Sequence, residues 1–118
     1  MPKRILIAED EWLIAEDLRI LVEQLGHTVV GIAASGEEAI DKTKQFDPDL
    51  LIMDVRMPGA LDGIEAATEI QQHRKTPVPV IFLTGMAGLP RSAITFPHLF
   101  ISKPFEPEKL ADCILQLS

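Results

Sequence analysis

Glu9-Asp10-Glu11 follows directly on an apolar run at 5–8, and single polar residues close three later runs: Asp54 after 50–53, Thr84 after 80–83, and Lys103 shortly after 99–101. Carboxylates packed as closely as the triplet repel one another and are stable together only where solvent or a cation screens them. The triplet alone reads either as a divalent metal site or as an acidic helix start favoured by the helix dipole. Asp54, Thr84 and Lys103 each have an ordinary reading as well, as a turn residue, a strand residue and a solvated lysine. Their joint occurrence at successive run ends favours chemistry, and the set matches what phosphoryl transfer to a carboxylate requires. Asp54 would be the nucleophile that forms an acyl phosphate. Mg²⁺, with Mn²⁺ as the alternative ion, would be held by Asp10 and Asp54, with Glu9 acting directly or through water. The Thr84 hydroxyl and the Lys103 ammonium would donate to phosphoryl oxygens. Glu11 is left as the acid of the helix start.

For these residues to meet, the elements that carry them must end on one edge. Short aliphatic runs recur at 5–8, 29–33, 50–53, 80–83 and 99–101, with helical segments between them. The first helix places Ile14, Leu18, Leu21, Val22 and Leu25 at a period near 3.6 and closes at Gly26 as a left-handed cap. The second starts behind Ser35, with Glu38 in capping-box position, and buries Ala39, Ile40 and Thr43. Asp62 can cap a third helix carrying Ile64, Ala67 and Ile70, and Pro77 and Pro79 impose an extended entry to the next strand. Only 89–94 is available for a short fourth helix, and a last helix is expected over about 107–117. Alternation of strand and helix, with right-handed crossovers, implies a parallel sheet covered on both faces. The expected fold is therefore α/β, a flavodoxin-like doubly wound (βα)5 domain over 1–118 with strand order 2-1-3-4-5, in which the four strand ends bearing these polar residues share the ligand-binding edge.

The 118 residues, 47% of them hydrophobic, suit one core and leave no room for a second. A net charge of −7 argues against binding nucleic acid directly or an anionic membrane surface. No stretch approaches the ~20 apolar residues that span a bilayer, and the apolar N-terminal run is too short for a signal peptide, so a cytoplasmic protein is expected. Cys113 shares a helical face with Leu110, Ile114 and Leu117 and reads as a reduced core residue. His27, His73 and His98 are placed in loops or helix ends with no catalytic or metal role.

With these motifs in order, the chain resembles the receiver domain of two-component response regulators over essentially its full length. Ile5-Leu6-Ile7-Ala8-Glu9-Asp10-Glu11, Asp54-Val55-Arg56-Met57-Pro58, Asp62-Gly63-Ile64-Glu65, Leu83-Thr84-Gly85 and Ser102-Lys103-Pro104-Phe105 carry the likeness. The resemblance implies that Asp54 accepts phosphate from the phosphohistidine of a sensor histidine kinase or histidine phosphotransfer protein. It implies Mg²⁺ bound by Asp10, Asp54 and the Arg56 carbonyl, and a cis Lys103-Pro104 bond. Thr84 and Phe100 would be the switch residues, acting on a surface of the fourth helix, fifth strand and fifth helix. That surface would contact a downstream protein or a second copy of the chain. Arg56 and Met86 would flank the phosphoryl group and tune its hydrolysis. The domain would assist its own phosphorylation and dephosphorylation without being a turnover enzyme.

Several residues depart from the family pattern. Glu9 stands where many receivers have Asp, and Gly59-Ala60-Leu61 makes the loop after Asp54 one residue longer than the commonest form. Phe100 replaces a frequent Tyr. Phe82-Leu83-Thr84-Gly85 is similar to a Phe-x-Thr-Gly receiver subgroup of general stress signalling, from which Ala87 departs. A flavodoxin-type carrier is disfavoured because the triplet would repel the FMN phosphate. An aspartate-dependent phosphohydrolase is disfavoured because Arg56 occupies the place of its usual second acid, and no P-loop or Gly-x-Gly-x-x-Gly fingerprint is present. The remaining alternatives are a phosphorylation-independent interaction module, and a receiver cut from a larger hybrid kinase or regulator.

Overall fold

The structure, a computed structural model, describes residues 2–85 and 94–117. Five parallel strands run β1 (Arg4–Ala8), β2 (Thr28–Ala33), β3 (Leu50–Asp54), β4 (Val80–Thr84) and β5 (His98–Ser102), in the spatial order β2-β1-β3-β4-β5. Four helices are described: α1 (Trp12–Gln24), α2 (Gly36–Phe46), α3 (Gly63–Gln72) and α4 (Pro107–Gln116). α4 is the last helix expected from the sequence. Most of the expected 89–94 helix, together with Met86, lies outside the described residues; Ile94 is described and is not helical.

Side chains alternate across a strand, and here the alternation builds two cores. Ile5, Ile7, Leu50, Ile52 and Ile101 face α1 and α4, where they meet Ala15, Leu18, Val22, Leu110, Cys113 and Ile114. Leu6, Ala8, Leu51, Met53, Val80 and Phe82 face α2 and α3, where they meet Ala39, Ile40, Ala66, Ala67 and Ile70. β3 and β4 are buried along their whole length.

The helix ends follow their local chemistry, with some departures from expectation. Gly26, at φ +92°, ends α1: its N–H donates to the Glu23 carbonyl and the His27 N–H to the Val22 carbonyl, a Schellman pair. Leu25, expected in the core, is 40% exposed, because the cap turns it outward. The Ser35 hydroxyl accepts from the Glu38 N–H at 3.1 Å, but the Glu38 carboxylate pairs with Lys42 at 3.0 Å instead of closing a capping box. A full box forms at α3, where Asp62 accepts from the Glu65 N–H (2.8 Å) and Glu65 from the Asp62 N–H (3.0 Å). His98 belongs to β5 and not to a loop, and its ring packs edge-on against Phe100 with centroids 5.6 Å apart. Among the described residues no helix is long and apolar enough to cross a membrane.

Candidate functional site

Ile5-Ile7, Leu50-Ile52 and Leu99-Ile101 all point toward α1 and α4, and the next residue in each alternation is Glu9, Asp54 and Lys103. Their side chains therefore emerge together at the C-terminal edge of the central strands. The Lys103 ammonium donates to Glu9 Oε1 at 2.9 Å and to Asp54 Oδ2 at 2.7 Å, joining positions 94 and 49 residues apart in sequence. Asp54 and Thr84 are the last residues of their strands rather than the first beyond them, since the ladder continues through Asp54↔Leu83 and Thr84↔Ser102.

The backbone around these residues is tightly tied. The Glu9 N–H donates to the Ala33 carbonyl (2.9 Å), the Val55 N–H to Leu83 (3.0 Å) and the Lys103 N–H to Thr84 (2.8 Å). The Arg56 N–H donates to Asp54 Oδ1 (3.0 Å) and the Glu11 N–H to Glu9 Oε2 (3.2 Å). The Lys103-Pro104 peptide is cis, as expected. Asp10, Glu11, Asp54, Val55, Arg56, Thr84, Gly85 and Lys103 enclose an open cleft of about 460 Å³.

The triplet divides. Asp10 is exposed on the cleft wall, whereas Glu9 is 1% exposed and stands behind it, against Lys103 and Asp54. Burial pushes the Glu9 carboxyl up to about 7; hydrogen bonds from Lys103 and the Glu11 N–H lower it, and Asp54 adds to the rise. Burial pulls Lys103 down, yet its contacts with Asp54 and Glu9 outweigh this and leave it raised. The two shifts agree physically, because Glu9 is the more deeply buried partner and shares its ammonium with a second carboxylate. Glu11 is the N-cap residue of α1, and its side chain makes no cap bond.

Glu9, Asp10 and Asp54 each offer an oxygen within 4.8 Å of the other two. Such an all-oxygen, anionic donor set fits a hard divalent cation of the Mg²⁺ class.

Thr84 follows Phe82 on the opposite sheet face, and Phe100 lies on that same face, diagonal to Thr84 across the β4–β5 ladder. The Phe100 ring stacks on Phe82 at 5.2 Å and 26°. Two residues of this region were not singled out as site residues in the sequence. Gly63 lies so close to β3 that a Cβ there would collide with the Asp54 carbonyl oxygen. Glu37 reaches from α2 to the loop after Asp54. The glycine following a helix cap was the available signal for Gly63; nothing in the local sequence marks Glu37.

A sequence profile of the response regulator receiver domain matches residues 5–115. The transcriptional regulatory protein PdtaR of Mycobacterium tuberculosis is 39% identical over 115 residues, covering 97% of this chain and 56% of PdtaR. The chemotaxis protein CheY of Thermotoga maritima is 32% identical over 120 residues, covering 100% of this chain and 99% of CheY. The crystal structure of the response regulator PhyR from Brucella abortus superposes with a TM-score of 0.88 at 35% identity, covering 99% of this chain and 48% of PhyR. The chain thus spans about half the length of PdtaR and of PhyR.

Proposed function

Starting from a chain that belongs to the response regulator receiver family of two-component signalling, we propose that Asp54 is its phosphoacceptor, charged by the phosphohistidine of a sensor histidine kinase or a histidine phosphotransfer protein. The observation that carries this reading is the Lys103 ammonium held at 2.7 Å from the Asp54 carboxylate, at the mouth of a cleft that Thr84 also lines. An Asp54 carboxylate oxygen forms the new O–P bond as the P–N bond of the donor breaks. The donor imidazole keeps that electron pair and takes up a proton from water. Lys103 and Thr84 donate to the phosphoryl oxygens, and the Arg56 N–H holds the second Asp54 oxygen in place (3.0 Å).

Asp10, Asp54 and the Arg56 carbonyl would hold Mg²⁺, with Glu9 behind them; when bound, the ion supplies positive charge against the carboxylates and the incoming phosphoryl group. Arg56, on the rim, and Met86 would govern how water reaches the acyl phosphate. Thr84, drawn toward the phosphoryl group, would change the space beside Phe100 and so the surface that includes β5 and α4. That surface would take a downstream protein or a second copy of the chain. On this reading the domain accepts and releases its own phosphoryl group and is not a turnover enzyme.

Fluoroberyllate, which mimics a phosphoryl group on a carboxylate, tests both parts with the full chain and Mg²⁺. Amide resonances of Asp54, Thr84, Phe100 and Lys103 are expected to shift together. Shifts confined to Asp54 and Lys103 would contradict the switch, and an unchanged spectrum would contradict the phosphoacceptor.

A further inference from the structure

The loop after Asp54, residues 55–62, has two anchors. One is at the phosphoacceptor itself, where the Gly63 N–H donates to the Val55 carbonyl (2.7 Å) and the Arg56 N–H to Asp54 Oδ1 (3.0 Å). The other is on α2, where Glu37 Oε2 accepts from the Ala60 N–H at 3.2 Å, across 23 residues of sequence. Gly59 makes that approach feasible: its φ is +105°, and a Cβ there would stand 2.6 Å from Glu37 Oε2. On the neighbouring side, a Cβ on Gly36 would lie 3.1 Å from the Leu61 carbonyl oxygen and 3.2 Å from the Leu61 Cβ. The first turn of α2 therefore closes on the loop through two glycines, one in each partner.

α2 contributes no residue to the cleft, yet it fixes the middle of the loop whose beginning carries Arg56. We propose that Glu37 is a positioning residue for this site: its carboxylate oxygen clamps the loop at Ala60, and the clamp holds the Arg56 backbone where a divalent cation at Asp10 and Asp54 can use it. The role rests on the metal site proposed above. It works through an acceptor oxygen and not through charge, which distinguishes it from a fourth carboxylate adding to the attraction for a cation. Glutamine keeps the acceptor and removes the charge, so Glu37→Gln separates the two.

The test titrates Mg²⁺ into the full chain by calorimetry, with no phosphodonor, for wild type, Glu37→Ala, Glu37→Gln and Gly59→Ala. Hydrogen exchange of the Ala60 amide is followed by NMR in the same four proteins. Glu37→Ala and Gly59→Ala are expected to exchange Ala60 faster and to bind Mg²⁺ about two- to tenfold more weakly, the loss of one net hydrogen bond. Glu37→Gln is expected to match wild type in both. Wild-type Mg²⁺ affinity in Glu37→Ala would overturn the proposal, as would a Glu37→Gln protein as weak as Glu37→Ala. A wild-type chain that binds no Mg²⁺ would overturn the metal site and with it the role of Glu37, and Ala60 exchange would still report whether the clamp exists.

Discussion

Two carboxylates, Glu9 and Asp54, share the one ammonium of Lys103, at 2.9 and 2.7 Å, so once Glu9 ionises, above about 7, the buried part of the site carries an excess of negative charge. Removing Lys103 leaves both carboxylates facing each other with little water to screen them. Lys103→Ala is expected to lower stability by about 1–3 kcal/mol in metal-free buffer, below the figure for a fully buried pair because the lysine is partly exposed. Mg²⁺ should then raise the midpoint of chemical denaturation more in the variant than in wild type, and an equal rise would contradict the shared-charge account. Glu9 adds a pH signature. Because its carboxyl is raised from 4.5 to about 7, the folded chain keeps a proton that the unfolded chain has released. Glu9 therefore opposes folding increasingly as pH rises between those values, and fully above them. Lys103, raised above 10.5, contributes stability that is fully present throughout this window and is lost only at higher pH. Metal-free Glu9→Gln should gain stability relative to wild type as pH climbs from about 5 to about 7.5, then hold a constant difference. A difference that does not change with pH would contradict the burial of an ionising Glu9.

At the scale of elements, the site depends on how closely α3 is drawn onto the end of β3. The Gly63 N–H bonds to the Val55 carbonyl at 2.7 Å, and the space for a Cβ is taken by the Asp54 carbonyl oxygen. The obstacle is backbone, so no side chain can turn aside to relieve it. Gly63→Ala should destabilise by about 2 kcal/mol or more, and should slow Asp54 phosphorylation by more than the unfolded fraction explains. Near-normal stability and rate would contradict the close approach.

Much of this scale was legible in the sequence, because strand alternation, Ser35 and Asp62 as caps and Gly26 as a left-handed terminus are local signals. What was not legible depends on partners distant in the chain. Asp54 and Thr84 read as residues beyond their strands because they are polar, but pairing with the neighbouring strands carries the ladder through them. Leu25 kept the helical period and yet lies outside, since the cap turns the chain at that residue. Glu38 had capping-box spacing, but Lys42, one turn on, competes for its carboxylate. The Glu37 contact requires the path of a loop 23 residues away, and the Lys103 contacts require the sheet order.

For the whole molecule, a net charge of −7 is borne by a domain whose most crowded acids sit at one strand edge. The sheet holds Glu9 and Asp54 there by burying the isoleucines beneath them, so the fold bears the electrostatic cost of its own site. A cation that binds only the folded chain must raise stability by mass action, by about 2.7 kcal/mol at one hundred times its Kd. Millimolar Mg²⁺ should therefore raise the thermal midpoint by a few degrees relative to NaCl at equal ionic strength, and Asp10→Asn should abolish most of the rise. No difference between Mg²⁺ and NaCl would contradict a specific metal site.

The central claim, that Asp54 accepts a phosphoryl group, is tested most directly by intact-mass measurement after incubation with acetyl phosphate and Mg²⁺. The expected result is a gain of one phosphoryl group that is lost in alkali, as an acyl phosphate is, and that is absent from Asp54→Asn. No gain, or a gain that persists in Asp54→Asn, would contradict it.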